Sequence, residues 1–119
     1  MIGVIATISV LNGKENEFEE VAKKLVSAVN LEEKDNLFYR LYKKSSHKYI
    51  FLEGYKDKNA LTKHTKTDHY KIYGKAMSEF LASPPEVIIM DELEPNKWLI
   101  YKIMLLLGLL LNLDDVQFL

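Results

Sequence analysis

The chain has 119 residues, a length that favours one domain with a single core. Sixteen basic side chains against seventeen acidic ones leave a formal net charge of -1, which supplies no extended field for holding nucleic acid or an anionic membrane. The complete lack of cysteine removes disulfides, zinc knuckles, thiolate-held iron–sulfur clusters and thiol catalysis together, and fits a reducing, cytoplasmic setting.

Residues 2–11 (IGVIATISVL) alternate at period two, with Ile2, Val4, Ala6, Ile8 and Val10 on one face, and so predict a strand rather than a signal peptide. Asn12-Gly13 punctuates the chain. Phe18, Val21, Ala22, Leu25, Val26 and Val29 then recur at helical spacing, predicting an amphipathic helix over 15–30. Two aromatic-rich runs, LFYRLYKK at 37–44 and KYIFLEGY at 48–55, are joined by Ser45-Ser46-His47 and read as a hairpin. Residues 57–65 and 67–82 read as two helical pieces with Asp57 and Thr67 as N-caps, the second stopped by Ser83-Pro84-Pro85. EVIIMDEL, 86–93, closes the series as a strand.

The order β-α-β-β-α-β predicts an α+β, ferredoxin-like fold with a four-stranded antiparallel sheet. Its helices cover one sheet face. A second copy of the chain is the simplest cover for the other, giving a dimeric α+β barrel.

The histidines His64 and His69 sit in LTKHTKTDHY, five residues apart. On a continuous helix they would diverge by about 140°, so a shared metal ion requires a break between them, with Asp68 as a conceivable third ligand. No metal is expected. His64, if aimed at the sheet near Glu53 and Tyr55, can serve as an acid/base group; His69 fits a helix start, a cap or a contact with the partner chain. The bland alternative is that both simply hold helix ends. Glu53 is either a base facing a cavity or the partner of a surface lysine. The tyrosines either stack on an aromatic ligand or fill core and interface.

LFYRLYKK, KYIFLEGYKDKNALTKHTKTDHY and SPPEVIIMDEL together resemble the antibiotic biosynthesis monooxygenase superfamily of cofactor-free dimeric α+β barrels, which includes quinol-monooxygenase-like proteins. Glu53, Tyr55, Ala60, His64 and His69 carry the most specific part of the resemblance. It implies a monooxygenase acting with O2 on a small aromatic or quinol-type substrate, without cofactor. His64 would be base or orienter and Glu53 its partner, with Tyr39, Tyr55 and His69 against the substrate. The haem-ligating histidine of related haem-degrading enzymes falls near Gly74 here, and their tryptophans are missing, so haem is not expected. The rival reading is a non-catalytic dimeric module that binds a small ligand or serves in stress.

The domain is expected to span 1–95. Residues 96–119 form an apolar extension in which WLIYKIMLLLGLLLNL, 98–113, holds thirteen apolar residues among sixteen. That is short of the roughly 20 residues of a membrane span. It fits packing across a dimer or larger assembly, attachment to a membrane, or a tail without a function of its own.

Overall fold

The computed structural model describes residues 1–93 and 97–108. The elements follow the predicted order: β1 (Ile2–Ser9), α1 (Glu15–Glu32), β2 (Asn36–Ser45), β3 (Lys48–Tyr55), α2 (Lys58–Lys66), α3 (Asp68–Ser78), β4 (Glu86–Asp91) and α4 (Lys97–Leu106). The four strands form one antiparallel sheet in the order β2-β3-β1-β4. This is the ferredoxin-like α+β arrangement, with β1 and β3 central.

Alternation along β1 sets the two sheet faces. Ile2, Val4, Ala6 and Ile8 are buried towards the helices. α1 places Phe18, Ala22, Leu25 and Val29, at three- and four-residue intervals, in one core with Ala6 and Ile8, while Ile2 and Val4 pack with Tyr55 and Ala60. The Phe18 and Tyr49 rings meet at 4.7 Å between centroids, fixing α1 on β3. Gly13 takes a positive φ of 86° in the turn into α1, which a side chain would strain.

Two helical and strand predictions ran too long, for one shared reason. The apolar stripe of the second piece continues through Phe80 and Leu81, but α3 ends at Ser78. Leu11 N–H bonds Phe80 O, Ala82 N–H bonds Ser9 O, and Val10 bridges Leu81. The segment after α3 thus spends its backbone groups on the end of β1, and both elements stop early. Away from this junction, β4 ends at Asp91, two residues before the predicted limit.

The other sheet face is apolar and open. Ile5 sits between Leu52 on β3 and Ile88 on β4, and Gly3 pairs with Met90. Tyr42, Ile88 and Met90 are exposed there. On this face the Phe38 ring lies over Gly54, so closely that a Cβ at Gly54 would fall 2.4 Å from it. Gly54→Ala is therefore expected to push Phe38 off the sheet and lower stability by roughly 1–3 kcal/mol, measurable as a drop in the urea midpoint at unchanged m-value.

α4 lies within the apolar extension, and its Ile103, Leu105 and Leu106 are exposed. No helix among the described residues is long and apolar enough to cross a membrane. The predicted domain boundary at 95/96, and residues 109–113 of the apolar run, lie outside the described residues.

Candidate active site

Thr67 organises the site. Its extended backbone (φ -70°, ψ 152°) stops α2, and its hydroxyl donates to His64 O at 2.7 Å. The same oxygen accepts from Tyr70 N–H at 3.2 Å and starts α3. Asp57 caps the other end of α2 by accepting from Ala60 N–H at 2.8 Å. Both predicted caps are thus in place. The break at Thr67 removes the divergence that a continuous helix would impose on His64 and His69.

His64 points inward and is 2% exposed. The rings of Tyr39 and Tyr55 lie 5.4 Å from it and that of Tyr70 lies edge-on at 5.0 Å. It lines a cavity of about 460 Å³ between the sheet and the α2–α3 pair. Val4, Ala6 and Phe51 form the floor; Leu61, Tyr70 and Met77 form the roof; Val87 and Ile89 of β4, both more than half exposed, mark its open side. This cavity lies within one protomer, on the helix side of the sheet. The open apolar sheet face lies on the opposite side of the sheet.

Glu53 also opens on this cavity while remaining 6% exposed. Burial pushes its carboxyl up to about 7, against a hydrogen bond that favours ionisation: Tyr55 donates its hydroxyl to Glu53 Oε1 at 2.6 Å. Tyr55, fully buried, stands behind Glu53 and is not part of the cavity wall. Tyr39 is on the wall, and burial raises its phenol above the ordinary tyrosine range.

The partner of His64 is Glu33, not Glu53. His64 Nδ1 lies 2.8 and 3.0 Å from the two oxygens of Glu33. A carboxylate can only accept, so Nδ1 carries the proton wherever it bonds Glu33 directly. Burial lowers the pKa of His64 against the opposing pull of Glu33, keeping the ring neutral near pH 7. His69 does not line the cavity. Its Nε2 lies 2.6 Å from Glu33 Oε2 and its Nδ1 3.1 Å from Glu32 Oε2. Asp68 takes no part in this cluster.

Glu32 and Glu33 escaped the sequence reading. A signal existed: two adjacent carboxylates close α1, at the helix end whose dipole disfavours negative charge. Such a pair needs cations or N–H donors nearby, and the two histidines supply them.

The sequence profile of the antibiotic biosynthesis monooxygenase family matches residues 1–76. Among solved structures, a candidate antibiotic biosynthesis monooxygenase from Caulobacter crescentus CB15 is 37% identical, with a TM-score of 0.74 over 78% of this chain and 90% of that one. A conserved protein from Methanosarcina mazei Go1 is 29% identical, with a TM-score of 0.73 over 77% and 92%. Rv0793 from Mycobacterium tuberculosis shares the fold at 21% identity, with a TM-score of 0.74 over 80% and 97%. No curated protein matches the chain. Profile, fold and the Glu53–His64 segment agree, and the chain belongs to the antibiotic biosynthesis monooxygenase family.

Proposed function

We propose that the protein is a cofactor-independent monooxygenase that oxidises a small phenolic or quinol-type aromatic with O2. One observation carries the reading: an ionisable carboxyl, Glu53, poised near neutrality on an otherwise apolar cavity beside a neutral imidazole. An apolar cavity with a few convergent polar groups suits a planar aromatic.

Glu53 takes the phenol proton. The phenolate then supplies electrons to O2, and the resulting peroxide forms at a ring carbon. Loss of water leaves a quinone: one oxygen atom stays on the ring, the other departs as water, and the substrate supplies all four electrons. The ring carbon gives up its hydrogen as a proton and Glu53 returns the phenol proton, so that the outer oxygen leaves as water, a two-way use of Glu53 that suits a pKa near the working pH. His64, held at Nδ1 by Glu33, forms a hydrogen bond with a substrate hydroxyl through Nε2 and orients the ring. Tyr39 packs against it.

Oxygen uptake with a panel of hydroxylated aromatics, with quinone formation followed by absorbance, tests this. His64→Ala is expected to reduce kcat/KM by about 100-fold through lost orientation. A folded wild-type protein that binds members of the panel without consuming O2 would instead make it a binding module.

We also infer that a second copy covers the open sheet face. The support is its apolar centre of Ile5, Leu52 and Ile88, together with exposed Met90, an arrangement suited to sheet-on-sheet packing.

A further inference from the structure

We propose that Glu33, His64 and His69 form a binding site for one first-row divalent cation of the zinc or cobalt type, at the joint of α1, α2 and α3. Glu33 Oε2, His64 Nδ1 and His69 Nε2 converge, with potential ligand atoms of the three residues all within 4.8 Å of one another. Two imidazoles and a carboxylate select this class over magnesium or calcium, which prefer all-oxygen shells.

The position of His69 between two carboxylates supports the assignment. Each of its ring nitrogens faces a carboxylate, Nε2 towards Glu33 and Nδ1 towards Glu32. With an ion on Nε2, the proton of a neutral His69 sits on Nδ1, 3.1 Å from a Glu32 carboxylate oxygen. A carboxylate behind a ligating histidine is how such rings are ordinarily oriented on a metal. Glu33 Oε2 is meanwhile crowded by two ring nitrogens at 2.8 and 2.6 Å. Ligand atoms on a tetrahedral ion with bonds near 2.1 Å stand about 3.4 Å apart, so these two contacts must open by roughly 0.6–0.8 Å to admit the ion.

Access is present. Glu33 and His69 line one surface depression, Glu33 and His64 another, and neither Glu33 nor His69 lines the cavity holding Glu53. The ion would sit behind His64, reached from solvent rather than through the cavity. It would tie the end of α1 to both sides of the Thr67 break.

The test uses tag-free full-length protein stripped with a chelator and titrated with Co²⁺, then Zn²⁺. Expected is one Co²⁺ per chain, with the intense visible absorption of a low-coordinate imidazole–carboxylate site, displaced stoichiometrically by Zn²⁺. His69→Ala abolishes that absorption. Glu32→Gln, at an exposed position, weakens affinity about 10- to 100-fold, and remains informative should His69→Ala fail to fold. His47→Ala, in the β2–β3 turn, leaves binding unchanged. Zn²⁺ raises the Tm of the wild type in proportion to the logarithm of its concentration and not that of His69→Ala. No saturable binding, or binding indifferent to both His69→Ala and Glu32→Gln, would reduce the cluster to an ion-free hydrogen-bond network and overturn the proposal.

Discussion

Glu53→Gln is expected to cut turnover by about 10²- to 10⁴-fold and, at the same time, to make the protein more stable at pH 8. Both effects come from the same burial. The carboxyl ordinarily ionises at 4.5 and here is pushed up to about 7. Below pH 4.5 the group is protonated in folded and unfolded chains alike, and its titration costs nothing. Between 4.5 and about 7 the unfolded chain gives up its proton while the folded chain keeps it, so stability falls as pH rises. Above about 7 the cost is complete, roughly 3 kcal/mol at 1.36 kcal/mol per unit. Glutamine keeps the shape and still accepts from Tyr55, but carries no charge. Its stabilisation should therefore grow from near zero at pH 4.5 to about 2–3 kcal/mol at pH 8. In the wild type, kcat/KM should rise with pH through about 7 as the base ionises, and Glu53→Gln should lose that limb. Denaturant melts and oxygen uptake across the pH range check both arms. An unchanged pH–rate profile in Glu53→Gln would assign the proton transfer elsewhere.

Ile5→Lys is expected to turn a dimer into monomers while leaving ligand affinity of the cavity within about threefold, since charge at this distance is screened. Ile5 stands at the centre of the open face, paired with Leu52 and Ile88. An unpaired buried ammonium costs about 3–5 kcal/mol, and a two-fold interface meets the change twice. Dissociation should strengthen by at least about 1000-fold. Sedimentation of both proteins measures it. A wild type that is monomeric in dilute solution would remove the twin from the account.

Much of the fold was legible because each element had its own local signal. β1 was visible from strict alternation, α1 from its apolar stripe, and α2 and α3 from Asp57 and Thr67. The end of α3 was not legible. Phe80 and Leu81 satisfy helical periodicity, yet their backbone groups go to β1, a long-range preference that no local window reports. The site divides in the same way. Glu53 and His64 stand out as polar residues in apolar surroundings. Their partners did not, because pairing across the fold depends on where α1 ends relative to α2. Glu33 reaches His64 across 31 residues, whereas the nearby Glu53 turns to Tyr55, its neighbour on the same side of β3.

The interleaving in β1 has a last consequence. Val4, Ala6 and Ile8 line the cavity, and Ile5 and Thr7, between them, face the opposite way. Even-numbered positions are thus free to diverge with whatever small molecule a lineage encounters, and odd-numbered ones with its quaternary habits. Neither kind of drift need disturb the other. A single-residue insertion in this strand would exchange the two sets at a stroke, so natural variation here should proceed by substitution and not by changes of length.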